Sequence, residues 1–291
     1  MKVVWLGWEE IYTTRRVQQA ARDLGLDLDT YDIHDISFIV EGHQAVVLGA
    51  GRNLLETYDG LVVRTFYPYI SEALTLARLF REAGKVVMDQ NLVDEGYAVS
   101  KMHDHLILAQ HGVPNPRTWQ LFNPRQVEAQ AEQLTYPCLL KGVHGARGDH
   151  VYLIHDAEQL QRRLWHYPCG ELMLQEYLPA EEDYRLLVIG YRALPVMVSR
   201  KPPRGDFRTN YSVGGRFIRR EPGEFPGFKE LAELAAHTLR REFTGVDIRM
   251  KGSQPMVLEV NRQPDFEGFE RATKFDVASE VVKYIKERVG E

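Results

Sequence analysis

Hydrophobic and polar positions follow two periods along this chain, and the switches between them outline its elements. Lys2–Leu6 is a short apolar run stopped by Gly7, the pattern of a buried strand. Ile11–Leu24 carries apolar residues at helical spacing and ends at Gly25. Asp27–Ile33, Ala45–Leu48 and Gly60–Arg64 are predicted as further strands, with Arg64 where the last one ends. Ser71 is predicted to cap a helix through Ala83 with Leu74, Ala77, Leu79 and Phe80 on its apolar face. Gly84 closes it, and Lys85–Met88 returns as a strand. Strand and helix alternating at these lengths predict a parallel α/β sheet. Ligands of such sheets bind beyond the carboxyl ends of the strands, where Arg64 falls. Its planar fork suits a carboxylate there; an ordinary surface arginine is the alternative.

Asn91–Ala98 links to a second unit. Ser100–Gly112 is predicted as a helix carrying Lys101, and Val113-Pro114-Asn115-Pro116 forces an extended exit. A second helix is expected over Gln126–Gln133, then a strand over Tyr136–Lys141. Lys141 runs into GVHGARGDH, whose Gly142, Gly145 and Gly148 allow backbone N–H groups to close on a phosphate beside a compact charge. No Gly-Lys-Ser/Thr follows, so it is not a Walker A loop; an ordinary hairpin is the other reading. Val151–Ile154 resumes the strand, and Ala157–Trp165 has helical spacing.

Leu172–Leu178 is an apolar strand with a polar end. Arg185–Ile189 and Leu194–Ser199 are expected as a hairpin around Gly190-Tyr191, closed by Arg200. Gly205–Phe217, with Arg208, Asn210, Gly214 and Gly215, is too polar for core and is predicted as a loop over a site. Phe228–Phe243 has Leu231, Leu234, Ala235 and Leu239 at helical spacing. Two short apolar runs follow, Val246–Ile248 and Met256–Val260, joined by a turn-forming RMKGSQP stretch. Alternation puts Glu259 and Asn261 on one face and Leu258 and Val260 on the other, and a hairpin can set Asp247 opposite that pair. Three hard oxygen donors on one face suit Mg²⁺; a solvated polar face on an edge hairpin is the alternative. Asp276 is expected to cap a last helix with Val277, Val281 and Ile285 inward.

At 291 residues the chain can hold more than one domain. A net charge of −5 offers no electrostatic footprint for nucleic acid. No apolar run approaches the about 18 residues of a membrane span. The acidic turn after MKVVWLG does not fit a signal peptide. Cys138 and Cys169 lack metal-ligand spacing, so two structural thiols in a reducing, cytoplasmic setting are expected.

The ordered set SKMHDHLILAQHGVPNPRT, YPCLLKGVHGARG, LQEYL, DYRLLVIG, GDFRTNYSVGG and GVDI followed by LEVNRQP resembles the ATP-grasp carboxylate–amine ligases, most of all the RimK type, the ribosomal-protein glutamate ligases. The resemblance implies an α/β and α+β ATP-grasp fold. Its expected parts are an N-terminal pre-ATP-grasp α/β domain (1–95), a central lid (96–172) and a C-terminal catalytic domain (173–291). Nucleotide would lie between the last two. By motif, Lys101 and Lys141 would contact phosphates, and Glu176 with the backbone of Tyr177 would bind adenine. Asp183 would lie near the ribose, and Arg208 and Asn210 beside the triphosphate. Asp247, Glu259 and Asn261 match the Mg²⁺ (or Mn²⁺) ligands. Arg64, Arg185 and Arg200 would handle the acyl phosphate or substrate carboxylates.

The chemistry so implied is ATP-dependent activation of a carboxylate as an acyl phosphate, then attack by an amine. The acceptor is a small molecule, peptide or carrier protein, and dimers or tetramers occur among relatives. A glutathione-synthetase-like ligase and a non-catalytic nucleotide-binding protein are the competing readings. No side-chain nucleophile is needed; His103, His144 and His150 are read as solvated. Two departures bear on substrate choice: GARGDH replaces the usual G-x-G loop end, and NRQPD replaces N-x-S-P-G, placing Arg262 and Asp265 beside the metal ligands.

Overall fold

The computed structural model describes residues 1–120, 122, 126, 134–144, 151–164 and 170–290. The chain begins with β1 (Lys2–Leu6), α1 (Tyr12–Asp23) and β2 (Asp27–Tyr31). A ribbon of β3 (Ile36–Glu41), β4 (Gln44–Gly49) and β5 (Arg52–Asn53) follows, then α2 (Leu54–Thr57), β6 (Gly60–Val63), α3 (Ile70–Glu82) and β7 (Val86–Met88). The order β2-β1-β6-β7 forms a parallel sheet. Val3 and Trp5 face one apolar cluster with α1, while Val4 and Leu6 face another with α3. Burial on both faces explains why β1 is a continuous apolar run.

Two expectations change here. The Ala45–Leu48 strand pairs antiparallel with β3 and β5 and stays outside the parallel sheet, because a tight turn at Gly42, with φ of 63°, folds it straight back onto β3. Ser71 is not the cap of α3: the helix starts at Ile70, and Tyr69 at the cap makes no side-chain hydrogen bond.

The middle of the chain holds α4 (Lys101–Gln110), β8 (Thr118–Gln120), β9 (Cys138–Gly142), β10 (Val151–Ile154), α5 (Ala157–Leu164) and β11 (Leu172–Glu176). Ser100 caps α4, its Oγ accepting the His103 N–H at 3.4 Å. The four strands form an antiparallel sheet, β10-β9-β11-β8. The division expected at 172/173 would cut β11, all of whose residues pair with β9. The helix expected over 126–133 lies almost wholly outside the described residues. Gly145, Gly148, His150, Trp165 and Cys169 also lie outside them.

The last sheet comprises β12 (Asp183–Ile189), β13 (Arg192–Ala193), β14 (Met197–Lys201) and β15 (Arg216–Arg220). After α6 (Phe228–Thr238) come β16 (Phe243–Lys251) and β17 (Gln254–Asn261), then α7 (Glu267–Thr273) and α8 (Val277–Gly290). Its order is β15-β14-β12-β16-β17, with β13 on β12. Arg200 lies inside β14, and the polar loop gives way to β15 at Arg216. Phe228, Leu231, Ala235 and Ala236 of α6 seal one face, whereas Leu234 is 45% exposed. Asp276 caps α8 through Ser279 at 3.1 Å. The opposite face of β12 runs from Asp183 and Arg185 to Leu187 and Ile189, which share a core with Val3, Trp5 and the inward side of α8. The C-terminal sheet therefore rests on the parallel sheet through one apolar cluster.

Polar groups reinforce that junction. Asp89, fully buried, accepts the backbone N–H groups of Glu242 at 2.7 Å and Phe243 at 3.0 Å, fixing where β16 begins. Arg262 donates to the same carboxylate at 3.0 Å and to Asn91 at 3.0 Å. A single acidic side chain thus ties the end of β7 to both strands of the C-terminal ribbon.

Candidate active site

The C-terminal ribbon supplies the acidic floor of a cleft. Register sets Asp247 directly across from Glu259 and Gly245 across from Asn261. The hairpin reaches its turn only at Gly252-Ser253, so both strands outrun the short apolar runs that announce them. A bulge follows: Ile248 pairs with Val257, leaving Leu258 unpaired. This corrects the strict alternation expected from sequence. Val257 and Val260 face the core, while Leu258 joins Glu259 in the cleft lining.

Two lysines oppose this floor. Lys101, in the first turn of α4, sits 3.4 Å from Glu259 Oε1. Lys141, on β9, donates to Gln175 Oε1 at 2.6 Å. Gln175 is fully buried on β11, and its Nε2 reaches Thr118 Oγ1 and His105 Nε2, each at 3.1 Å. Burial, then Lys141, pushes the His105 imidazole down to about 4. A neutral ring accepting at Nε2 fits its Nδ1 contact with Asn115 Oδ1 at 3.3 Å. Neither Gln175 nor His105 stood out in the sequence; their mid-element positions carry no motif of their own. Gln175→Leu is expected to leave Lys141 without its fixed acceptor, raising the KM for ATP by about tenfold with a smaller change in kcat. Steady-state kinetics of the purified variant checks this.

The remaining walls divide by polarity. Leu139, Val151, Leu178 and Leu258 make an apolar patch beside Glu176, Tyr177 and Phe207. Glu176 pairs with Lys251 at 2.5 Å, and Tyr177 meets Phe207 edge-on at 6.5 Å. A flat aromatic base fits such a slot: apolar faces with polar groups at the rim. Arg208 and Asn210 line the same cleft, with Arg208 engaging Asp206 at 2.8 Å.

Arginines organise the acids from behind. Arg185 lies across from Asp247 in the β12–β16 register and clamps both its oxygens, Nε to Oδ1 at 2.7 Å and Nη2 to Oδ2 at 2.8 Å. Arg200 Nη2 adds a contact at 3.0 Å. Asp183, across from Arg200, accepts from Arg200 Nε and Thr209 Oγ1 at 2.6 Å each and from Arg249 at 3.3 Å. The sequence resemblance sets Asp183 near a ribose. It does line the cleft, yet both oxygens already hold partners, so its visible work is to anchor three neighbours.

Every site residue expected from sequence lines this cleft except Arg64 and Arg185. Arg64 is a correction. It is 2% exposed, donates to the carbonyls of Phe243 and Arg262, and stacks over the Phe243 ring at 4.9 Å. Those contacts tie it to the junction, away from the cleft. Arg262 and Asp265 are corrected too. Arg262 turns to Asp89, Asn91 and Tyr97, and Asp265 Oδ1 accepts the Glu267 N–H at 3.0 Å at the start of α7. Neither lines the cleft.

A family model described as the RimK-like ATP-grasp domain matches residues 98–285. The chain belongs to the RimK-like ATP-grasp family. It is a carboxylate–amine ligase of the ADP-forming kind. A probable α-L-glutamate ligase 2 of Pseudoalteromonas atlantica is 27% identical over 95% of this chain and 92% of its own length. A probable α-L-glutamate ligase of Picosynechococcus is 27% identical over 100% and 97%. Among solved folds, the ATP-grasp ligase PsnB complexed with minimal precursor has a TM-score of 0.74 at 19% identity, covering 99% of this chain and 98% of that one. The macrocyclase MdnC of Microcystis aeruginosa, bound with its precursor peptide, has 0.71 at 14%, covering 100% of both chains.

The acidic floor offers the donor chemistry of a divalent-cation site. Burial would raise the Asp247 carboxyl, but Arg185 and Arg200 overcome it and hold it down at about 2. Desolvation likewise opposes Glu259, and Lys101 and Lys141 bring it below the usual carboxylate range. Both acids are therefore ionised at neutral pH: Asp247 accepts from Arg185, Arg200 and Asn261, while Glu259 keeps the more open carboxylate. Asn261, across from Gly245, adds an amide oxygen beside them, its Nδ2 held by Asp247 Oδ2 at 3.2 Å. Among the described residues no group of three or more His, Cys, Asp or Glu could cage a metal. Two acids and an amide oxygen suit a cation completed by nucleotide oxygens.

Proposed function

We propose that this cleft binds ATP with Mg²⁺ and uses it to activate a carboxylate, which is then joined to the amine of an amino acid. The observation that carries the reading is the facing of Asp247 and Glu259 across the β16–β17 register, with Lys101 and Lys141 opposite. Leu139, Val151, Leu178 and Leu258 take the adenine, and Glu176 with the Tyr177 backbone reads its edge. Lys101 and Lys141 draw the phosphates over the acidic floor, and Arg208 and Asn210 flank them. Asp247, Glu259 and Asn261 hold Mg²⁺, which when bound offsets the repulsion between the carboxylate and the γ-phosphate. Arg200, 3.0 Å from Asp247, presents a fixed positive charge to the oxygen that develops when the amine attacks the acyl phosphate. Its positioning by Asp183 keeps that charge in place without reorganisation. Two relatives aligned over nearly their full length are named probable α-L-glutamate ligases, which favours glutamate as the amino acid, and PsnB and MdnC, solved with precursor peptides, favour a peptide as its partner.

The test is ADP release from the purified protein with ATP, Mg²⁺ and a panel of amino acids and acidic peptides, followed by mass spectrometry. The reading expects glutamate to stimulate release and an amide-linked product to form. Release unaffected by every acid and amine pair would refute it.

Lys141 gives the cleft a pH signature. Burial, then Lys101 and Arg249, push its ammonium down to about 8. Below that pH the charge is present and attracts phosphate; above it the charge is lost in the nucleotide-free protein. Bound triphosphate favours the charged form, so kcat/KM for ATP is expected to fall above about pH 8 while kcat holds. Lys141→Arg should keep the charge and flatten that limb. A pH profile of both proteins decides it.

A further inference from the structure

A second cleft lies at the junction, sharing no residue with the first. It encloses about 310 Å³ and is lined by Arg81, Lys85, Val86, Val87, Gln90, Arg240 and Arg288. These come from α3, the approach to β7, the turn before β16, and α8. Four basic residues line one space, and no acidic residue does. The chain as a whole is acidic at −5, so this concentration is local.

Two of the cations are already neutralised from outside the cleft. Arg240 pairs with Asp94 at 2.5 Å and donates to Gln90 at 3.2 Å, and Arg288 pairs with buried Glu242 at 2.8 Å. Those partners fix both guanidinium groups. Arg81 and Lys85 have no ion-pair partner among the described residues. The cleft thus carries uncompensated positive charge, in partly enclosed space where charges interact more strongly than in bulk water.

We propose that this junction cleft is a binding site for a small polyanion carrying at least two oxyanion groups, such as a phosphate ester or a polycarboxylate. Arginine forks match planar oxyanions in pairs, and Lys85 adds a point charge. The volume, at the low end for small-molecule sites, favours a metabolite over a macromolecular segment. Such a ligand would bridge α3 and β7 to α8 and to the turn that launches β16, the strand bearing Asp247.

The test is calorimetric titration of the full chain with pyrophosphate and, separately, citrate at fixed ionic strength. Lys141→Ala is the background, so that the phosphate lysine of the first cleft is removed. At least one anion is expected to bind. Adding Arg81→Ala and Lys85→Ala together should weaken it by at least about tenfold, the scale of one or two charge-assisted contacts. Lys283→Ala, at an exposed lysine elsewhere on α8, should not change it. Tighter pyrophosphate binding assigns a phosphate ester, and tighter citrate binding a polycarboxylate. Absence of binding by both anions in the Lys141→Ala background would overturn the proposal. So would equal weakening by Lys283→Ala, or binding indifferent to Arg81 and Lys85.

Discussion

Asp247→Asn is expected to lower ADP release by about a thousandfold or more, the scale of losing a preorganised charge at a reacting centre. It should also destabilise the protein. Arg185 and Arg200 are nearly buried and share this one carboxylate at 2.7–3.0 Å. Breaking a buried pair by removing one partner costs about 3–5 kcal/mol, because the remaining charge stays desolvated. Asn keeps the shape and one acceptor, so a loss near about 3 kcal/mol is expected by chemical denaturation. The same clamp sets a pH dependence. The folded carboxyl is lowered from 3.8 to about 2, so its contribution is complete above the unfolded value and is lost as pH falls from about 4 towards 2. Wild-type stability should decline through that window more steeply than that of Asp247→Asn.

Glu259→Gln separates chemistry from scaffolding. Its carboxylate has one ion-pair partner among the described residues, Lys101 at 3.4 Å, and keeps 32% of its side-chain surface. Exposed or half-exposed pairs contribute at most about 1 kcal/mol. The variant is therefore expected to fold with wild-type stability to within about 0.5–1 kcal/mol, yet to lose turnover by about a thousandfold, as a missing metal donor would require. Thermal melts alongside ADP assays check both halves. Equal destabilisation by Glu259→Gln and Asp247→Asn would mean that Glu259 is a structural acid.

The contrast shows what a sequence can disclose. Asp247, Glu259 and Asn261 were legible because strand period and a turn signal are local, and register delivers them to one another. Lys141 was legible on a strand leading into glycines, whereas Lys101 was singled out only by the family resemblance. The bulge was not, because nothing in MVLEV says that Leu258 lacks a partner, and so the apolar bed of the cleft was hidden. Arg64 and Arg262 were misplaced for a different reason. Each stands near a strand end, as a substrate arginine would, but both are consumed by the junction that Asp89 organises, a contact separated by 173 positions in the case of Arg262. β15 escaped notice because RFIRR reads as a charged loop, although Phe217 packs beneath it against the core.

On the proposed reading, the ribbon's oxygen donors hold the divalent cation that ATP shares. Crystals grown with Mn²⁺ and a non-hydrolysable ATP analogue, measured at the manganese absorption edge, test it most directly. The account expects anomalous peaks between the analogue's phosphates and Asp247, Glu259 and Asn261, with no peak in crystals of Glu259→Gln at the position Glu259 serves. Peaks held elsewhere, with Asp247 still clamped by Arg185 and Glu259 still on Lys101, would contradict it.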